Sequence, residues 1–372
     1  MRIAMLATSR HPVREPYAGG QESHTAVLAR GLRELGHHVR LYARAGTDPG
    51  LADEIVPYPD LPPLSAVAAV DPALPEPEFL RDHAAFLAAV RDLLARPDVD
   101  VVHNQSLHFL PLALSEVLPA PLVTTLHTPP FPWMELGIAL AGPRAAYVCV
   151  SAASAADWTT LPRPPQVVPN GVSDDDGGPG PGGEDLVWVG RLTAVKGADL
   201  AIRAARAAGR RLALVGPVSD PEWYAHAVAP ELGRDVEHHG HLAHADIARL
   251  VRASAATLVT PRWDEPFGLV AAESTVWGTP VVAIDRGGLR EVVREGTGVL
   301  VDDRGASEAA VVTRLRDGVQ QAVSLPRPEV RRRALAHLGA DVMVERYLQV
   351  YRDLQARPEV KAHPVALSGV LS

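Results

Sequence analysis

An alternation that runs twice along the chain is the strongest constraint on its fold. Short apolar, β-branched runs at residues 3–7, 39–43, 99–102, 122–126 and 147–150 read as strands, and residues 22–35 as a helix with one apolar face. At residue 186 the pattern restarts, with strands over 186–189, 211–215, 236–239, 256–259 and 281–284 and a helix over 198–208. Alternation of this kind implies a parallel sheet with helices on both faces. The expected fold class is α/β, in two doubly wound domains. Between the two runs, residues 173–185 read SDDDGGPGPGGED. With no apolar residue they are expected not to pack and are read as a linker. The expected organisation is a domain over 1–172, the linker, a domain over 186–340, and a helix with a tail over 341–372. The Pro-rich residues 57–77 are expected to loop over the first domain. Residues 329–356 read as one last helix carrying Leu335, Leu338, Val342, Val344, Tyr347, Leu348 and Tyr351. Residues beyond 357 are expected to fray.

At 372 residues there is enough chain for two cores without a disulfide or metal staple. The 36 basic and 44 acidic residues leave a net charge of −8, and there is no long basic run. That argues against nucleic acid as a partner and against electrostatic attachment to anionic lipid. The lone cysteine, Cys149, excludes an internal disulfide and a cysteine-based zinc site. The apolar run at residues 3–7 is too short for a signal peptide, and no stretch reaches the ~20 apolar residues that span a bilayer. A cytoplasmic protein without stable membrane insertion is expected. The Ala, Arg and Pro richness resembles a GC-rich genome, and among the basic residues only Lys196 and Lys361 are lysines. A lysine that persists mid-chain against that bias invites a chemical reason.

Gly178, Gly180 and Gly183 spell G-x-G-x-x-G, but they follow three aspartates and precede a strand. A dinucleotide fingerprint must follow a strand and open a helix, so this one is read as linker. The pairs Asp98-x-Asp100 and Asp174-x-Asp176 lack further ligands nearby and are read as turn and linker chemistry, with no metal site expected. Gly19-Gly20 opens the first helix, where glycine lets the backbone approach a ligand and a helix N-terminus offers N–H groups to an anion. Gly190-Arg191 and Lys196-Gly197 follow the first strand of the second domain. Two cations at a strand's carboxyl end can converge on one polyanion. Glu265-Pro266-Phe267-Gly268-Leu269 then opens a short helix that carries Glu273. Two carboxylates beside a free helix N-terminus suit a sugar held next to a phosphate.

The run EPFGLVAAES…WGTPVVA…GGL, with Glu265 and Glu273 as an E-x7-E pair, resembles the donor site of retaining family-4 glycosyltransferases. MRIAML…AGGQESHTAVLARGLRELGHHV, VVHNQ, TTLHTP, VCVSAAS, VPNGV and WVGRLTAVKGAD follow in that family's order. The resemblance implies two Rossmann-like domains facing across a cleft (the GT-B architecture), with the last helix crossing back to the first domain. It also implies that Arg191 and Lys196 neutralise the diphosphate of a nucleotide-sugar. Backbone N–H groups of Phe267, Gly268 and Leu269, with Gly19, Gly20 and Gly190 nearby, would complete the anion site. Glu265 would hold sugar hydroxyls, Glu273 the ribose, His241 and Leu242 the base, and His127 would lie near the reacting sugar. His24 and Asn104 are candidates for acceptor contact, and His103 lies near the cleft floor. The expected reaction is retaining hexosyl transfer, of a glucose or N-acetylglucosamine type, from a UDP-sugar. No cofactor is expected, and the acceptor would be a small cyclitol, aminocyclitol or antibiotic intermediate. A sugar-nucleotide epimerase and a non-catalytic nucleotide-binding module share the architecture. An NAD dehydrogenase is disfavoured by the misplaced glycine motif.

Overall fold

A computed structural model of the chain describes residues 1–72, 75–174 and 177–357. Asp176, Lys361 and the tail beyond 357 lie outside the described residues. The first sheet holds β1 (Arg2–Leu6), β2 (His38–Ala43), β3 (Glu54–Pro57), β4 (Val101–Asn104), β5 (Leu122–Leu126), β6 (Ala145–Cys149) and β7 (Gln166–Val167), in the order β3-β2-β1-β4-β5-β6-β7. The second holds β8 (Leu186–Val189), β9 (Leu212–Val215), β10 (Val236–His238), β11 (Ala256–Val259), β12 (Val281–Ile284) and β13 (Gly298–Val301), in the order β10-β9-β8-β11-β12-β13. Every pairing is parallel. Apolar residues from both faces of each sheet enter separate cores, which is why the strands read as continuous apolar runs.

Both sheets start in the middle. The chain winds outward to one side and then returns to the other, so β1 lies between β2 and β4, and β8 between β9 and β11. Loops leaving such neighbours diverge to opposite faces and open a crevice at the carboxyl ends. At the opposite edge, Asp100 accepts from the Arg2 backbone N–H at 2.7 Å and Asp98 pairs with its guanidinium at 2.8 Å. That Asp-x-Asp pair therefore ties the starts of β1 and β4 together.

Three readings change in the structure. The edge strands β3 and β13 were not among the strands read from sequence, and both are only partly buried in the structure. The helices Pro77–Leu94 and Glu308–Ala322 likewise lie outside the elements read from sequence. Second, residues 177–185 do pack. A Cβ on Gly180 would sit 2.2 Å from the Arg252 Cβ, and one on Gly183 would sit 2.2 Å from the Ala253 carbonyl oxygen. Arg327 also holds the Gly180 carbonyl at 2.9 Å. Here glycine packs because it has no side chain, an option that a search for apolar residues overlooks.

Third, the last helical stretch is two helices, Arg327–Leu338 and Ala340–Gln355, separated at Gly339, which is extended at φ −61° and ψ 146°. The break pairs with Val172. The Val172 N–H donates to Leu338 at 2.8 Å, and the Ala340 N–H donates back to Val172 at 2.9 Å. The two passages of the chain between the sheets thus run side by side. The first of these helices packs on Leu269–Val276 in the second domain, and the other crosses to Gly20–Glu34 in the first. Among the described residues no helix is long and apolar enough to cross a membrane.

Gly31 sets the approach of the crossing helix, since a Cβ there would lie 2.6 Å from the Val344 Cγ2. Gly31→Leu is expected to destabilise the fold by about 1–3 kcal/mol through overpacking. The measurement is the urea midpoint, and an unchanged midpoint would mean that the two helices do not pack as described.

Candidate active site

In the second domain, the loops leaving the neighbours β8 and β11 are strapped together. Thr260 donates its hydroxyl to the Gly197 carbonyl at 2.7 Å and accepts from the Trp188 indole at 3.2 Å. Arg262 grips the Asp199 carboxylate through two 2.6 Å bonds. Burial raises the Asp199 pKa, but Arg262 outweighs it and holds the carboxyl below its usual range. The left-handed Gly197 (φ +69°) fits only as glycine, because a Cβ would lie 2.0 Å from the Thr260 carbonyl oxygen. The strap sets Lys196 Nζ 2.5 Å from Glu265 Oε1. The Trp263 indole N–H donates to the same oxygen at 2.9 Å, and its ring centroid lies 5.0 Å from the ammonium. Glu265 is 9% exposed, and its second oxygen accepts no hydrogen bond among the described residues. Arg191 is exposed just past β8, beside Gly190, and pairs with no carboxylate among the described residues.

Two uncapped helix N-termini lie beside these cations. Gly268 (φ +100°) turns the chain into the helix Leu269–Val276, which has no side-chain cap. The N–H groups of Phe267, Gly268 and Leu269 donate no hydrogen bond among the described residues. The turn is seated on the next loop, where the Gly288 N–H donates to the Glu265 carbonyl at 2.7 Å. Across the crevice, Gly19 opens the helix Gly20–Glu34, again with no side-chain cap. A Cβ on Gly20 would touch the Leu269 Cδ2 at 3.4 Å, so the two helix ends face each other. Each carries roughly half a positive charge. The domains are clamped beside this point. The Ser151 hydroxyl donates to the Pro266 carbonyl at 2.5 Å, and the N–H groups of Ala152 and Ala153 donate to Glu291 at 2.8 and 2.9 Å.

Deeper in the second domain, Glu273 Oε1 lies 3.2 Å from His244 Nε2. Sequence reasoning singled out His241 and Leu242. The structure leaves His241 exposed and packs the partly buried Leu242 against the apolar cluster, and it brings a further residue, His244, to the Glu273 carboxylate. No spacing signal distinguished His244 from its neighbours.

On the first domain, His127 follows β5, and its Nε2 lies 2.6 Å from Gln105 Oε1. Its ring stands edge-on to His24 at 4.9 Å. His24 and Asn104 are 1% and 0% exposed, which places them behind the crevice wall and not at its surface. Asn104 Oδ1 accepts from the N–H and hydroxyl of Ser106, so its role here is to hold a turn. His103 contacts Thr125 at 2.8 Å and Tyr351 of the crossing helix at 2.6 Å, while Tyr347 lies 3.0 Å from Thr125 and 3.4 Å from His24. Gln105, Tyr347 and Tyr351 were not sequence candidates. The tyrosines read as core positions of a helix, and Gln105 entered only as the last residue of the VVHNQ run, with no role assigned.

Burial lowers the pKa of His24 to about 4 and those of His103 and His127 well below the usual imidazole value, with the neighbouring rings adding to the shift in the last two. All three are therefore neutral at pH 7. Below pH ~6.5 the unfolded chain takes up protons that the folded state refuses, so stability falls with pH. For His24 alone the loss is about 1.4 kcal/mol per pH unit between pH ~6.5 and the folded value. The expected result is a urea midpoint that drops between pH 7 and pH 4, with a smaller drop in His24→Asn. A pH-independent midpoint would contradict the buried neutral cluster.

Known proteins resemble the chain over both domains. Residues 18–176 match the family described as Glycosyltransferase Family 4, and residues 175–324 match Glycosyl transferases group 1. The chain is 30% identical to the D-inositol 3-phosphate glycosyltransferase of Acidothermus cellulolyticus, over 97% of this chain and 92% of that one. Among solved structures it is similar to AviGT4, a glycosyltransferase involved in avilamycin A biosynthesis, at 25% identity and a TM-score of 0.68, over 96% of this chain and 98% of the other. It also superimposes on Anabaena HepE in complex with UDP-glucose, with a TM-score of 0.70 at 20% identity, over 95% of this chain and all of the other. Two crevice-forming parallel sheets, a crossing helix and these relatives together make the chain a family-4 glycosyltransferase of the GT-B fold.

Proposed function

We propose that the enzyme transfers a hexose, of the glucose or N-acetylglucosamine type, from a UDP-sugar to a hydroxyl of a small molecule in the cytoplasm, with retention at the anomeric carbon. The observation that carries this reading is the meeting of two uncapped helix N-termini beside Lys196 and Arg191. Such a surface suits a diphosphate, because backbone N–H groups and fixed cations converge on one polyanion. Those groups supply the positive charge that a divalent cation would otherwise bring, so we infer catalysis without a metal and without a cofactor. Glu265 Oε2 is free to accept from sugar hydroxyls, and Glu273 from the ribose. His127 stands on the opposite wall, near the reacting sugar. A UDP donor is supported by the HepE complex, and a small cyclitol or natural-product acceptor by the names of the other two relatives.

In this mechanism the bond from the anomeric carbon to the diphosphate oxygen breaks as the bond to the acceptor oxygen forms on the same face. The acceptor proton passes to the departing phosphate, so no strong general base is needed. Charge stabilisation of the leaving group is then the chief catalytic term, and losing one such contact costs about 3 kcal/mol. Closure of the crevice would exclude water and limit donor hydrolysis.

Lys196→Ala is expected to lower turnover by about a hundredfold; near-native activity would overturn the assignment. The first experiment is calorimetric titration with UDP, GDP and NAD, in EDTA. Binding of UDP supports the donor proposed, and binding of GDP replaces it. Binding of neither, in folded protein, removes the site. An acceptor screen with cyclitols, aminocyclitols and oligosaccharides then reads transfer, and donor conversion without acceptor would favour an epimerase.

A further inference from the structure

We propose that Gln105 is a positioning residue for the sugar-facing histidine: its carboxamide holds His127 as the Nε2–H tautomer and leaves Nδ1 as a hydrogen-bond acceptor toward the crevice. The inference rests on the reading of His127 as a crevice residue and adds what that residue presents to a ligand. Gln105 is fully buried just past β4, one strand over from His127. Its Oε1 lies 2.6 Å from His127 Nε2, and its Nε2 lies 3.1 Å from His103 Nε2.

A carboxamide has one accepting end and one donating end, so it imposes a direction on both neighbours. The shorter contact suits N–H to oxygen, and the longer one suits N–H to nitrogen. His127 Nε2 therefore carries the proton. His103 Nε2 then accepts from Gln105 and from the Thr125 hydroxyl at 2.8 Å, and its proton sits on Nδ1, 2.6 Å from the Tyr351 oxygen. A neutral imidazole holds a single N–H, so His127 Nδ1 has a lone pair and no proton. That atom has no hydrogen-bond partner among the described residues and is not sealed from solvent.

A site built this way requires a ligand hydroxyl that donates, and it discriminates against an analogue in which that hydroxyl is removed or methylated. The relay also reaches across the chain. Tyr351 belongs to the helix that crosses back from the second domain, so docking of that helix and the hydrogen-bond polarity at His127 share one line of contacts.

The test is long-range nitrogen–proton correlation NMR of 15N-histidine-labelled protein at pH 7, with His127→Asn to assign the signals. The expected spectrum shows His127 protonated at Nε2. In Gln105→Leu the tautomers should mix, and turnover should fall by tenfold to a hundredfold with donor KM within about twofold, as expected when orientation and not binding is lost. Gln105→Glu keeps an accepting oxygen and should keep the Nε2–H tautomer. A phenol at Tyr351 that donates to His103 would drive the opposite polarity, so a wild-type spectrum with the His127 proton on Nδ1 overturns the proposal. An unchanged tautomer and unchanged turnover in a folded Gln105→Leu overturn it as well. If Gln105→Leu fails to fold, the wild-type spectrum decides alone. The spectrum needs no substrate, so a failure here is distinct from a failure to bind UDP, which would instead remove the donor site.

Discussion

The constraint on which the site depends is the close approach of two helix N-termini from different domains. A helix end leaves its first N–H groups unpaired, and these are ordinarily satisfied by a capping side chain or water. Here neither Gly19 nor Gly268 carries a capping side chain, and a Cβ at position 20 would already be in contact with Leu269. Glycine does two jobs at these points: it leaves the helix ends without a capping side chain, and it lets them come close together. The surrounding cations follow the same logic. Lys196 is neutralised in part by Glu265, which keeps the ammonium in place, while Arg191 stays unpaired and exposed among the described residues.

Holding that approach requires the domains to meet at defined places. The Ser151–Pro266 and Glu291 contacts join the segment after β6 of the first domain to the turn ahead of Gly268 and to the short helix after β12. Behind them, Val172 and Gly339 pair where the chain passes from one domain to the other and back. Two adjacent crossings make a narrow waist.

The buried histidines of the first domain show a different use of polarity. Three imidazoles, a carboxamide, a threonine and two tyrosines fill the joint between β4, β5 and the crossing helix. An apolar joint of the same volume would hold the helix at least as firmly, whereas a hydrogen-bonded one fixes rotamers and proton positions as well. His127 sits at the open end of that network. Its tautomer is consequently a property of the packing beneath it.

Much of the architecture was legible in the sequence, because the signals involved are local. Central strands such as Leu122–Leu126, Leu186–Val189 and Val281–Ile284 are short apolar or β-branched runs, and such a run can be read one segment at a time. The glycines and cations past β1, β8 and β11 were legible for the same reason, since strand, loop and helix start follow one another along the chain. Edge strands, the break at Gly339 and the packed glycines at 180 and 183 were not, because each depends on what lies against it. The partners of the site depend on tertiary structure in the same way. Nothing near Glu273 in the sequence points to His244, 29 residues away, and nothing near His127 points to Gln105 or, through it, to Tyr351. The sequence by itself determined which elements form and which of their ends carry charge. Only the tertiary structure decided which ends meet, because burial and hydrogen-bond direction are set by neighbours distant along the chain.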